Sequence, residues 1–382
     1  MKKLFYFITC SFSILFVLFS ISKPVQAADA MNVGVTAIIP DNQVDKNQTY
    51  FDLLMKPGQE QELEVKLTNS SDEDRTVEIQ VNPATTNDNG TADYSLKETP
   101  KNRDSSLKIS MADIATTENE VLVPKKSSVN AKIKLKMPNE TFKGVVAGGI
   151  RVSEKENEKK EEEKKDTGGV QINNKFVFTV GLQLRTEESL EGLEPDLVLD
   201  KTKIKPKHVN YRNFVGINLQ NNQPVFIRDL EVEAKIYKKG SKEVLHETKK
   251  TQMKMSPNSN FNFGVDWENK ELEGGDYVAS VRAYSKDYDK EWKWDNQEFH
   301  IDAETAKKLN AEAVNLEKSN KKLYIMIGIG LILLLLLIII LLIMKNKKEK
   351  ARRKARKNKK SSKNSSKKSS KSSSKNKSKS KK

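Results

Sequence analysis

Residues Tyr324 to Met344 read YIMIGIGLILLLLLIIILLIM, 21 residues without a charge. About 20 apolar residues suffice to cross the hydrocarbon core of a bilayer as a helix. A buried core helix is the alternative, but such helices seldom run this long without one polar face. The stretch is read as a membrane span, residues 324–344, and it divides the chain's charge. From Lys345 to Lys382 there are 20 Lys or Arg against one acid, Glu349, a local charge of +19 in a chain whose net charge is +16. Once Lys2, Lys3 and Lys23 are also set aside, the rest, from Asp29 to Met344, carries −6. The basic charge that would otherwise mark a nucleic-acid binder therefore sits in a tail beside a membrane. Ten Lys or Arg fall between Lys345 and Lys359, the excess expected of a cytoplasmic flank. Lysines so placed attract anionic lipid, about 1 kcal/mol per charge near the surface. Anionic lipid, and not nucleic acid, is the expected main ligand of this tail. Its Ser and Asn spacers give it nothing apolar to bury, so residues 345–382 are expected to be disordered.

The other end agrees on orientation. MKKLFYFITCSFSILFVLFSISKPVQAADA has a basic start, an apolar run from Leu4 to Ile21 and small residues before Ala27. This is the pattern of a cleaved secretory signal, residues 1–28. The chain's one cysteine, Cys10, lies within it, so the mature chain has no thiol. Disulfides, thiolate metal sites and cysteine nucleophiles are excluded. An ectodomain without cross-links must be held by its core, and its length suits two domains.

Alternation of period two recurs along that ectodomain. Leu63, Val65 and Leu67 alternate with Glu62, Glu64 and Lys66; Val77, Ile79 and Val81 repeat the pattern, as do Ile133, Leu135 and Met137. These are half-buried antiparallel strands. FKGVVAGGIRV and KFVFTVGLQLRT read as two more, joined by the charged excursion EKENEKKEEEKKDTGGVQINN as a long loop. After a break at LEGLEP come PDLVLDKTKI, FVGINLQNN, DLEVEAKIYKKG, KTQMKM, NFNFGVDW, GDYVASVRAY and EWKWDNQEFHI. Short strands at this spacing predict an immunoglobulin-like sandwich. The fold expected is therefore all-β outside the membrane, two tandem immunoglobulin-like β-sandwich domains at 29–190 and 191–302. From Ala303 the period changes: Ala306, Leu309, Ala313, Leu316 and Leu323 predict a short helical stalk over 303–323.

The chain offers little chemistry. His208, His246 and His300 lie in separate strand regions with no companion at ligand spacing, and read as ordinary sheet or loop residues. Nucleophile elbows, phosphate loops and metalloprotease helices are missing from the sequence. Gly148 and Gly149, inside a β-branched run, mark a bulge or a close backbone approach. DYDKEW, from Asp287, begins like a calcium loop but lacks its glycine and closing acid. Trp292 and Trp294 share one face of a strand, inward as core or outward as a contact patch; core is the preferred reading. No catalytic, cofactor or metal residue is assigned, binding residues stay unknown, and an enzyme is not expected.

Two longer stretches carry a resemblance. MNVGVTAIIPDNQVDKNQTYFDLLMKPGQEQELEVKLTN, ending in MPNETFKGVVAGGIRV, resembles the first ectodomain of the WxL-interacting proteins of Gram-positive bacteria. PDLVLDKTKIKPKHVNYRNFVGINLQNNQPVFIRDLEVEAKIYKKGSKEVL and MSPNSNFNFGVDW resemble the second. The resemblance implies a peptidoglycan-binding domain followed by a host-binding one, working with secreted proteins that carry a WxL domain. The Trp-x-Leu triplet itself is absent here: Trp267, Trp292 and Trp294 are followed two residues on by Asn269, Trp294 and Asn296. The chain is then the partner of a WxL protein. The expected function is a membrane-anchored surface adaptor for peptidoglycan, WxL-domain proteins and host extracellular proteins. The alternative is a surface receptor relaying ligand binding to its cytoplasmic tail.

Overall fold

The computed structural model describes residues 32–155, 176–317 and 321–372; the secretory-signal reading falls outside them. The chain divides into two compact units, one ending at Asn315 and the other beginning at Leu316.

The first unit holds two β-sandwiches. In the first, β1 (Val33–Ile38), β3 (Glu60–Asn69), β9 (Ser128–Lys136) and the short β7 (Ala115–Thr117) form one sheet in the order β1-β3-β9-β7. The facing sheet is β2 (Phe51–Leu54), β11 (Val177–Arg185), β10 (Val146–Glu154), β4 (Arg75–Pro83) and β8 (Glu120–Val123), in the order β2-β11-β10-β4-β8. The alternation read in the sequence is the wall of the core between them: Leu63, Val65, Leu67, Val77, Ile79, Ile133 and Leu135 are all buried. A hairpin of two short strands, β5 (Thr85–Thr86) and β6 (Ala92–Asp93), leaves the sandwich after β4. One helical turn, α1 (Met111–Ile114), is closed by a capping box between Ser110 and Asp113 and drives Met111 into the core.

The paired glycines of β10 mark a close approach and not a bulge, since the register runs unbroken through them on both sides. A methyl at Gly148 would lie 2.5 Å from Met111 Cγ, and one at Gly149 would lie 2.8 Å from the Tyr94 ring. Each glycine thus admits a large side chain to one face of the sheet.

The second sandwich sets β14 (Arg212–Asn221) between β17 (Ser259–Asp266) on one edge and, on the other, β12 (Leu197–Leu199) and β13 (Lys205–Val209) in succession. The opposing sheet is β16 (Val244–Met255), β15 (Ile227–Lys238), β18 (Gly275–Ser285) and β19 (Lys290–Ile301), in the order β16-β15-β18-β19. Phe261, Phe263, Trp267, Tyr277, Ile217, Ile236 and Val281 fill the space between. Trp292 and Trp294 are half-buried against this core, as the inward reading expects.

Two expectations change beyond the sandwiches. The stalk predicted over 303–323 is not one helix: α2 (Ala303–Glu312) ends at Ala313 and belongs to the second sandwich. Ala306 is buried, and the Asn310 side-chain carbonyl accepts from Asn213 Nδ2 and from the Leu272 N–H, both at 2.9 Å. Asn310 Nδ2 donates to the Leu272 carbonyl at 2.9 Å, and the Val314 N–H donates to the Tyr211 carbonyl at 2.9 Å. These polar clamps hold the chain to the sheet, which an apolar stripe alone could not reveal. The second change is in the tail. Helix α3 runs from Lys321 to Ser372, through the predicted span and into the segment expected to be disordered. The physical reason is propagation: once the apolar run has formed a helix, each added residue contributes one hydrogen bond, and Lys, Arg and Ala resist it little. Within the apolar part none of the side chains is buried by protein. With no protein cover, that surface is fitted to lipid.

Candidate binding surfaces

A ligand is recognised most readily by groups whose hydrogen-bonding capacity the fold has not used. The joint between the sandwiches looks at first like a site. A cleft of about 310 Å³ opens there, lined by Asp88, Asp93, Glu98, Asp104, Asn258 and Asn260 among others. Its polar groups are already engaged. Thr86 and Ser259 share a hydroxyl hydrogen bond of 2.6 Å, the Ser256 N–H donates to Thr86 Oγ1 at 3.0 Å, and Ser256 Oγ donates to the Thr85 carbonyl at 2.9 Å. Asp88 accepts from the Asn262 N–H at 2.8 Å and pairs with Lys207, while Asp104 accepts from Gln220 Nε2 at 2.6 Å. Arg103 donates to the Leu107 and Lys108 carbonyls and pairs with Glu98 and Asp113; its hydrogen bond to Asp113 holds that carboxyl below the usual range. Backbone seals the same seam: the Lys254 N–H donates to the Gly90 carbonyl at 2.7 Å and the Val145 N–H to the Pro224 carbonyl at 2.8 Å. Ala84, Val145 and Ala147 add a small apolar contact with Tyr94, Leu190 and Phe226. The polar groups of the cleft are hydrogen-bonded to one another across the joint.

The outer face of the β16-β15-β18-β19 sheet forms a second concavity, about 550 Å³, lined almost wholly by charge. Here every partner is internal: Lys249 to Glu231, Lys235 to Glu233, and Arg282 and Lys293 to Glu291. The pKa directions agree from both ends. Hydrogen bonds from Lys293 and Arg282 lower Glu291, that from Lys235 lowers Glu233, and Glu231 raises Lys249. This is a solvated ladder of cross-strand pairs.

The three histidines stand on three strands. His208, on β13, has Nε2 2.9 Å from the Leu309 carbonyl; His300, on β19, has Nδ1 2.8 Å from Asp276. His246, on β16, is buried against Trp267 with ring centroids 4.1 Å apart. No group of His, Cys, Asp and Glu able to hold a metal ion occurs among the described residues.

Among the described residues, one inner strand is left partly uncovered beside exposed aromatic side chains. β10 pairs with β11 from Val177 to Leu184, but on the opposite side β2 covers β11 only from Leu182 to Arg185. Over Val177–Val180 no strand among the described residues meets that side, and Phe176 and Phe178 are 44% and 43% exposed. The sequence reading placed this strand but missed its open half. The alternation Phe176, Phe178, Val180 looks the same whether or not a neighbour covers it.

Two β-sandwiches joined by hydrogen bonds and, among the described residues, one helix whose apolar surface has no protein cover define a β-sandwich protein carrying a candidate membrane span. Residues 34–154 match the family model of the WxL Interacting Protein peptidoglycan binding domain, and residues 167–311 that of the WxL Interacting Protein host binding domain. The chain belongs to the WxL-interacting protein family. The second match begins before β11, yet hydrogen bonding places β11 in the first sandwich. No curated protein matches the chain. Among solved structures, the chaperone–tip adhesin complex of CFA/I fimbriae is similar at 12% identity, over 71% of this chain and 98% of that one, with a TM-score of 0.29. The E. coli chaperone DraB is similar at 11% identity, over 72% and 98%, with a TM-score of 0.26. The CsuC–CsuE pre-assembly complex of Acinetobacter baumannii is similar at 13% identity, over 65% and 94%, with a TM-score of 0.30. The likeness is one of β-sandwich fold alone.

Proposed function

We propose that this protein is a membrane-anchored adaptor of the cell surface, holding secreted WxL-domain proteins at the wall while its first sandwich binds peptidoglycan and its second binds host extracellular proteins. The supporting observation is the order of parts: a peptidoglycan-binding match, a host-binding match and one apolar helix in a single chain. The matched families are binding domains, and adaptor work needs no chemistry. The ectodomain lies outside, the basic end of α3 lies inside against anionic lipid, and α2 fixes the point at which the second sandwich hands the chain on. A receptor relaying binding inward would want an unbroken rod through the membrane, whereas α2 ends at Ala313 and α3 begins at Lys321.

The test uses the full chain in detergent, sedimented with purified peptidoglycan and then offered the secreted WxL-domain proteins of its own cell. Co-sedimentation of chain and WxL protein is expected. A chain that stays in the supernatant with and without its partner would refute the adaptor. Orientation is checked on wall-stripped cells: added protease should remove the sandwiches and spare the basic tail, and a tail digested first would reverse the topology.

A further inference from the structure

We propose that the open half of β11, Val177–Val180, with Phe176 just before it, accepts an extended segment of a secreted partner protein, apolar at alternate positions and carrying an acid on its outward face. This rests on the adaptor reading above and names the surface through which the partner is held.

The burial gradient along one strand carries the inference. Residues directly opposite in an antiparallel pair project to the same face. Phe178 lies opposite Val152 and Val180 opposite Ile150, and both partners are fully buried in the core of the first sandwich. Phe178, Val180, Leu182 and Leu184 therefore all belong to the core face, with Phe176 two residues before them. Leu182 and Leu184 lie where β2 covers β11, and neither is exposed. Where β2 stops, exposure returns, reaching 43% at Phe178 and 44% at Phe176. One face of one strand thus contains its own control: an added neighbour is what makes it core. A strand continuing the line of β2 would pair the bare backbone of Val177–Val180 and bury both phenylalanines. An unpaired strand edge flanked by side chains of alternate burial is the acceptor used in strand addition.

The outward face specifies charge. Thr179 lies opposite Arg151, whose guanidinium has no carboxylate partner among the described residues, although most neighbouring charges are paired. Thr179 is short, so Arg151 can reach across it to a side chain on the incoming strand. An acid there would meet a waiting cation. A second copy of this chain fits worse, because pairing two β11 edges would put on one face two Arg151 guanidinia that have no carboxylate partner among the described residues.

The probe is a nine-residue peptide alternating valine and threonine, with glutamate replacing the central threonine. Its binding to the full chain in lipid nanodiscs is followed by fluorescence anisotropy. Saturable binding is expected, weakened at least tenfold by N-methylation of alternate peptide amides and by Phe176→Ser with Phe178→Ser. Arg151→Glu should weaken this peptide and strengthen one carrying lysine in place of the glutamate, an exchange that misfolding cannot imitate. Unchanged melting and unchanged peptidoglycan sedimentation in each variant show that fold and adaptor are intact. Absence of binding, binding indifferent to N-methylation, or failure of the charge exchange would overturn the edge while leaving the adaptor standing; loss of sedimentation by the unaltered chain would instead remove the adaptor.

Discussion

His246 shows how burial gives one residue a pH dependence. It is 2% exposed, its ring lies on Trp267, and its Nδ1 is buried without a hydrogen-bond partner. Burial holds its pKa below the ordinary 6.5; Glu268, 3.7 Å away, pulls it back up, and Lys270 adds to the lowering. In the unfolded chain the imidazole regains its ordinary value, near 6.5. Above that pH neither state is protonated and stability is unaffected. Below it the unfolded chain takes up a proton that the folded one refuses, so stability falls as the pH drops from about 6.5 through the depressed folded value. The urea midpoint of the second sandwich should decline between pH 7 and pH 5, and His246→Leu should flatten that decline. An equal slope in both proteins would locate the titration elsewhere. The sequence read His246 as an ordinary sheet or loop residue, and it lies on β16. Its burial was not legible, because period-two alternation assigns a strand's faces only once the apolar face is known, and VLHETKKTQMKM carries few apolar residues to mark it.

At the scale of elements, the legible strands are those whose alternation is written in β-branched and aliphatic side chains. β3, β4, β9, β15, β17 and β18 fall where the pattern placed them. β13 was not read as a strand: KPKHV offers two lysines and a proline, and only its pairing with β14 makes it one. Helix α2 was legible as a helix and illegible as an anchor, since what holds it is an amide. Asn310 takes part in three hydrogen bonds, with Asn213, the Leu272 N–H and the Leu272 carbonyl. Asn310→Ala leaves the Leu272 groups without a partner, a cost of about 1–3 kcal/mol. Amide exchange over 303–312 should then quicken sharply while the strands of the second sandwich keep their protection. Equal exchange in the variant would show that Ala306 and the His208 contact suffice to hold the helix.

The whole molecule turns on a joint that no periodicity announces, because hydroxyls, amides and glycines in loops make it. Gly144, at φ +83°, sets its backbone so close to the second sandwich that a methyl would lie 2.4 Å from the Pro224 carbonyl. Gly192 has a similar φ, +76°, with nothing within 4 Å, so Gly192→Ala measures backbone strain alone. Calorimetry of the unaltered protein should give one transition for both sandwiches; Gly144→Ala should split it and Gly192→Ala should not. Two transitions in the unaltered protein would mean the joint does not couple them. Binding depends on what the surfaces of the two sandwiches present. The chain from Asp29 to Met344 carries −6, so long-range attraction cannot draw it to an anionic wall or an acidic partner. Its outer sheet pairs its charges internally, so the contact proposed for a WxL partner rests on the backbone and phenylalanines of β11. Such contacts are screened little by salt, whereas exposed ion pairs weaken beyond a Debye length of about 8 Å at physiological ionic strength. The dissociation constant for the WxL partner, measured on the full chain from low to molar sodium chloride, should therefore change by less than about tenfold, against the ~10³-fold or larger losses of complexes carried by many ion pairs. A hundredfold loss would move the contact from the strand edge to the charged residues between Glu154 and Asp166.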